Sequence, residues 1–260
     1  MKLPAPTSAF VSIDDLALRY ADGTQALVNI DAQVTRSEFV AIVGPSGCGK
    51  STLLKLLAGL LEASAGTLDI AGSSPAAARA AGHDTAYVFQ SPTLLPWRSL
   101  RDNVALPLEL RGMDRSAREQ RADLMIRLVG LQEFTSARPA QLSGGMQMRV
   151  SLARALVTNP ALILLDEPFG ALDEITRQYL NEELLRLWLA RRWTAVLVTH
   201  NVQEAVFLAQ RVLVMGPRPG TIIGEYAVDF PYPRLPELRA DPRFAALAAR
   251  ISTRLREALA

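Results

Sequence analysis

Gly44-Pro45-Ser46-Gly47-Cys48-Gly49-Lys50-Ser51-Thr52 closes a glycine-bounded loop on a lysine and a hydroxyl. Glycine lets a backbone curl around an anion without Cβ clashes. The N–H groups at the start of a following helix point toward that anion. The pattern suits a nucleoside triphosphate: Lys50 can reach the β- and γ-phosphates, and the Ser51 hydroxyl suits magnesium. Leu162-Ile163-Leu164-Leu165-Asp166-Glu167 is an apolar run ending in two carboxylates. Asp166 fits the second shell of magnesium through water, and Glu167 can accept a proton from an attacking water. Two acids at a strand end are usually just solvated; beside a phosphate loop they read as catalytic. Gln90 can offer an amide oxygen to magnesium or water, although alone it reads as a turn residue. His200 follows Val196-Leu197-Val198-Thr199, which sets it at the same sheet edge as Lys50 and Glu167. His83 lies in an Ala/Gly-rich loop and receives no role. Leu142-Ser143-Gly144-Gly145-Met146 is a second small-residue loop entering a helix, and so a second anion-seeking site.

Strands must carry these loops. Val11 to Tyr20 and Gln25 to Val34 read as strands joined by a turn at Asp22-Gly23. Phe39 to Val43 is a continuous apolar run, as a strand buried on both faces requires. Ser51 to Leu60 reads as a helix ending near Gly59, Thr67 to Ile70 as a short strand, and Thr85 to Phe89 as a strand leading to Gln90. Leu100 to Leu131 is helical, with Ser116 and Glu119 at capping-box spacing and Gly130 as a stop. A helix from Ser143 to about Val157 is stopped by Asn159-Pro160. Ala161 to Asp166 and Thr194 to Thr199 are strands flanking a helix from Glu174 to Ala190. Asn201 to Ala209 is a short helix, Arg211 to Met215 and Thr221 to Tyr226 are closing strands, and a last helix follows Asp241-Pro242. The spacing predicts an α/β nucleotide-binding core formed by 1–90 and 159–226, a helical insert over 91–158, and a tail over 227–260.

Composition narrows the class. The chain has 260 residues, 49% hydrophobic and 21% charged, with a formal net charge of +2. No broad basic field points to nucleic acid. The single cysteine, Cys48, excludes an internal disulfide framework. Its place before a helix N-terminus predicts a favoured thiolate. Met1 to Ser8 is too short and proline-broken for a signal peptide. No apolar run approaches the ~20 residues of a membrane span, so a membrane role would come through partners.

The order of P-loop, Gln90, Leu-Ser-Gly-Gly, Asp166-Glu167 and His200 resembles the ATP-binding cassette (ABC) ATPases over roughly residues 10–225. The resemblance implies a RecA-like P-loop core with an N-terminal antiparallel β subdomain and an inserted helical subdomain. It implies that two copies bind ATP and Mg²⁺ head to tail, Ser143, Gly144 and Gly145 of one copy meeting the γ-phosphate held by the other. In this resemblance Glu167 polarises water, His200 positions the γ-phosphate, and Ser51, Gln90 and Asp166 serve the metal. Gly170-Ala171-Leu172-Asp173 resembles the D-loop that communicates across the dimer. Tyr20 stands where an aromatic stacks on adenine; a strand-end tyrosine packed on the core is the alternative. Met146 departs from the more usual glutamine, which leaves the Ser143 and glycine contacts untouched.

Phe89-Gln90-Ser91-Pro92-Thr93-Leu94-Leu95-Pro96-Trp97, with Asn103-Val104, is similar to the nitrate/sulfonate/taurine branch of bacterial importers, where the Gly-Gly-Met signature also occurs. That branch implies two integral-membrane permease subunits, an indirectly acting periplasmic substrate-binding protein, and a peripheral place on the cytoplasmic side of the inner membrane. Leu95 and Trp97 would then be apolar anchors for the membrane subunit, or else pack within the helical lobe. An exporter or lipoprotein-release ATPase, or a soluble non-transport ABC ATPase, remains the alternative.

Overall fold

The computed structural model describes residues 9–81, 84–170 and 172–259. Met1 to Ser8, His83 and Ala171 therefore lie outside the described residues.

The first layer is an antiparallel sheet. Strands β1 (Val11–Arg19), β2 (Gln25–Val34) and β4 (Ala65–Ile70) lie in the order β2-β1-β4. The β1–β2 turn closes through Asp22, whose carboxylate accepts from the Thr24 amide at 2.9 Å, with Gly23 at φ +86°.

The second layer has six strands in the order β5-β6-β7-β3-β8-β9, built from β3 (Phe39–Val43), β5 (Thr85–Val88), β6 (Leu162–Asp166), β7 (Thr194–Thr199), β8 (Arg211–Met215) and β9 (Ile222–Ala227). The pairings from β5 through β8 are parallel and β9 is antiparallel. Alternation explains why β3 is apolar throughout and why β6 and β7 are apolar up to their polar ends. Phe39, Ala41, Val43, Ile163, Leu165, Ala195 and Leu197 enter one core, shared with the helical insert. Val40, Ile42, Leu162, Leu164, Val196 and Val198 enter the other, shared with the antiparallel sheet and helix α1 (Lys50–Leu57).

Three α-helices occupy the chain between β5 and β6: α3 (Leu100–Leu110), α4 (Arg115–Leu128) and α5 (Gly144–Leu156). The expected continuous helical stretch from Leu100 to Leu131 is therefore divided. Gly112 turns the chain at φ +73°, and Asp114 caps α4 by accepting from the Ser116 and Ala117 amides. That corrects the Ser116/Glu119 capping box, because Asp114 takes the cap and Ser116 is already helical. A short helix not anticipated from sequence, α2 (Pro75–Ala80), starts on a Ser74 cap and an N-terminal proline. Beyond β6 come α6 (Glu174–Arg191) and α7 (Val202–Leu208), and α8 (Pro242–Glu257) closes the chain.

The segment before α8 is stitched to α7. The Arg234 guanidinium donates to the carbonyls of Val206, Phe207 and Ala209, the orphan acceptors at the end of that helix. Tyr232 donates to Leu208 O at 2.8 Å. The α7 helix and the His200 loop before it thus have a fixed far end.

Candidate functional site

The phosphate loop is shaped by close approach. Gly47 and Gly49 have φ of +76° and +107°, and a Cβ on Gly49 would lie 2.7 Å from Leu27 Cδ2. Gly49 is the N-cap of α1, with no side-chain cap and no acidic residue in the first turn. By contrast, Ser143, Asp173 and Asn201 cap α5, α6 and α7 with their own side chains. The N–H end of α1 is therefore open to an external anion. Ser46 and Gly47 are exposed beside it.

Lys50 is only 5% exposed. Its ammonium donates to Gly44 O at 2.9 Å and Pro45 O at 3.0 Å, and lies 3.7 Å from Glu167 Oε1. The parallel register brings the ends of β3, β6 and β7 level, with Ile42 opposite Val198 and Asp166 opposite Val198 on the other side. Glu167 then sits just past β6 at φ +45°, its amide bonded to Val198 O. Such a left-handed conformation costs a non-glycine residue about 1–2 kcal/mol. It aims the carboxylate between the Lys50 ammonium and the His200 ring, whose Nδ1 lies 3.0 Å from Glu167 Oε2.

Asp166 is held from two sides. Ser51 Oγ donates to Oδ1 at 2.8 Å and Tyr87 OH donates to Oδ2 at 2.7 Å. Tyr87 pairs in register with Leu164, two residues before Asp166, so both side chains leave the same face of the sheet. Burial and the neighbouring carboxylate push the Tyr87 phenol up, which keeps it a donor. Sequence reasoning missed Tyr87, because its partner is set by β5–β6 register. Gln90 is exposed, and its Nε2 lies 3.6 Å from where a Gly170 Cβ would stand, as does His200 Cε1. Tyr20 is 37% exposed and its hydroxyl lies 3.0 Å from Thr52 Oγ1. Its hydroxyl is thereby tied to the first turn of α1.

Cys48 corrects the sequence expectation. Its thiol is 1% exposed, belongs to the core under the antiparallel sheet, and is pushed up by burial. The nearby Lys50 lowers it by less. A Cβ on Gly44 would stand 2.8 Å from Cys48 Sγ, so the side chain points behind the loop. Only its backbone can face a phosphate.

Ser143, Gly144 and Gly145 form a separate place. Ser143 Oγ accepts from the Met146 amide at 3.3 Å, and a Cβ on Gly145 would meet Thr176 Cγ2 at 3.1 Å. These residues line an open depression of about 550 Å³ with Asp173, Thr176 and Tyr179. Asp173 accepts from the Thr176 amide and hydroxyl, which hold its carboxyl below the usual range. Among the described residues, no hydrogen bond or ion pair joins this depression to Lys50, Ser51 or Glu167.

The sequence model for the ABC transporter family matches residues 27–170. The chain belongs to that family. The taurine import ATP-binding protein TauB of Rhizobium johnstonii is 44% identical over 241 residues, covering 90% of each chain. The nitrate import ATP-binding protein NrtD of Synechococcus elongatus is 43% identical over 249 residues, covering 94% of this chain and 84% of that protein. A solved dimeric ATP-binding cassette in a post-hydrolysis state with ADP and Pi superposes with a TM-score of 0.75 at 31% identity, covering 85% of this chain and 99% of that one. This chain's fold is that of an ABC ATPase, with the P-loop core and the antiparallel β subdomain both present.

Proposed function

We propose that this chain is the ATP-hydrolysing subunit of an importer for a small anion or sulfonate of the nitrate/sulfonate/taurine type. The observation that carries the reading is the row Lys50–Glu167–His200, drawn together at the ends of three neighbouring strands beside an uncapped helix N-terminus. The relatives named above are import subunits for taurine and nitrate, which supports the substrate class.

Two copies would bind two ATP between them. Lys50 and the amides of residues 46–52 hold the phosphates, and Tyr20 receives the adenine face. The oxygens of Ser51 and Asp166 already converge within 2.8 Å, a hard donor pair that fits Mg²⁺, with Gln90 as a further oxygen. When bound there, Mg²⁺ neutralises charge on the β- and γ-phosphates. Glu167 accepts a proton from the attacking water, its carboxylate aimed by the strained backbone. His200, its Nδ1 against Glu167, presents its Nε2 to a γ-phosphate oxygen. Ser143 and the amides of Gly144 and Gly145 in the other copy stabilise the charge of the transferring group.

The membrane subunit is offered one large side chain. Trp97 is 69% exposed, while Leu95 is half-buried. Buried Asn103 holds this loop, accepting from the Leu95 amide at 2.8 Å and donating to the carbonyls of Leu95, Arg98 and Ser99. Clamping the loop on both sides of Trp97 keeps the indole outward as an anchor. Among the described residues no helix is long and apolar enough to cross a membrane, so transport rests on two permease subunits, with a substrate-binding protein acting on their far side. The chain would then sit peripherally on the cytoplasmic side of the inner membrane.

Complexes extracted with detergent through a tag on this chain are expected to contain two integral-membrane subunits and to hydrolyse ATP. Recovery of nucleic acid or ribosomes in their place contradicts the reading.

A further inference from the structure

A cavity of about 230 Å³ lies where the helical insert meets the core. It sits near the edge of the parallel sheet at which β6 and β7 begin, opposite the edge that carries Lys50, Glu167 and His200. Leu124, Met125 and Leu128 of α4 form one wall, and Leu156 and Val157 at the end of α5 form another. Arg191, the last residue of α6, and Trp193, just before β7, complete the lining. An occupant would therefore touch the insert and the core together. The Arg186 guanidinium of α6 donates to Leu128 O at 3.0 Å, which fixes the α4 wall against the core.

The polar groups around this space are one-sided. Arg121, Asn159 and Arg191 also line it, and all three are exposed. Their side chains make no hydrogen bond or ion pair among the described residues. Arg98, Arg101, Arg111 and Arg115 of the same insert each pair with a carboxylate instead. Trp193 is only 5% exposed, yet its indole N–H donates to no group among the described residues. A buried donor left unpaired costs about 1–3 kcal/mol. The nearby acceptors are already spent. Leu156 O accepts from the Asn159 amide at 2.9 Å, and Trp193 O from the Trp188 indole at 2.9 Å. No carboxylate lines the cavity.

Unspent donors, two of them cationic, thus stand beside apolar walls. Planar guanidinium forks match the oxygens of an oxyanion. Size limits the rest of the ligand. An apolar cavity of ~150 Å³ takes one benzene ring, so this space suits one ring, or a chain of about six carbons, with a headgroup. We propose that this cavity binds a small organic anion with an apolar body, an alkyl or aryl carboxylate or sulfonate. Its headgroup rests on Arg121 and Arg191, and its body lies against Leu156 and Trp193. This site is separate from the nucleotide site and does not rest on the import reading.

The test is calorimetric titration of the full chain with hexanesulfonate and with hexanoate. At least one of them is expected to bind with one site per chain at millimolar concentration or below. The double variant Arg121→Gln, Arg191→Gln changes two exposed, unpaired side chains, so the fold should survive. It should weaken binding about tenfold or more, as loss of charged hydrogen bonds does. Methanesulfonate, which lacks the body, and 1-hexanol, which lacks the charge, should each bind at least about tenfold more weakly. Saturating Mg-ATP should leave the titration unchanged. Four results would overturn the proposal: no binding of either anion, equal affinity in the double variant, methanesulfonate or 1-hexanol binding as tightly as the six-carbon anions, or competition by ATP.

Discussion

The phosphate loop and the Ser143 loop are both helix N-termini built from small residues, yet the chain treats them oppositely. At the first, Lys50, Ser51, Asp166, Glu167, Tyr87 and His200 are joined by contacts of 2.7–3.7 Å, while the helix end itself is left without a side-chain cap. At the second, Ser143 caps its own helix and its neighbours open onto a depression. One place is organised within the chain and waits for an anion. The other is a rigid, outward-facing donor surface with nothing of its own to act on. This difference is what a shared site split between two copies requires.

The largest expected effect lies in the organised half. Glu167→Gln removes the proton acceptor and should slow steady-state hydrolysis by ~10²–10⁴-fold. ATP binding, followed by equilibrium titration, should survive, and the variant should accumulate as a dimer by size-exclusion chromatography. Normal turnover by this variant would remove Glu167 from the role of base.

A smaller effect is expected from the donor surface. Ser143→Ala should lower hydrolysis by roughly 100-fold, as loss of one preorganised donor does. ATP affinity of the isolated monomer should be unchanged, because Ser143 serves the other copy's nucleotide. A matched loss of monomer affinity would place both loops on one nucleotide and erase the contrast. Tyr87→Phe sharpens the organised half further. Losing one hydrogen bond to Asp166 should cost about 1 kcal/mol, or roughly fivefold in hydrolysis. Equal rates for Y87F and wild type would make the bond incidental.

The smallest effect concerns Cys48. Its buried thiol should label slowly with maleimide, and saturating Mg-ATP should change that rate little. Strong nucleotide protection would return the side chain to the phosphate face.

Much of this was legible in the sequence, for reasons of period. The continuous apolar runs of β3, β6 and β7 announce strands buried on both faces, which end at one shared edge. Glu167 and His200 follow such strand ends, and the glycine loop carries Lys50 from the end of β3 to the start of α1, so the three could be brought together from sequence alone. What escaped depends on facts that no local pattern carries. The break between α3 and α4 turns on Gly112 and on Asp114 winning the cap from Ser116. The short α2 carried its signal in Ser74-Pro75, but six residues give too little period to register. Cys48 was misjudged because helix position favours a thiolate while tertiary burial opposes it, and burial is larger. Tyr87 needs a partner 79 residues away in the chain, which only the β5–β6 register provides.

The central claim is that one copy's phosphate loop meets the other copy's Ser143 loop. Ser46 and Ser143 are both exposed, so each can be replaced by cysteine in a separate Cys48→Ser, Glu167→Gln chain. With S46C in one chain and S143C in the other, no link within a single chain can form. Mixing the two with ATP and a mild oxidant is predicted to give a covalent heterodimer that neither chain forms alone and that ADP does not support. A dimer that appears equally without nucleotide, or none under any condition while ATP still binds, would contradict the composite site.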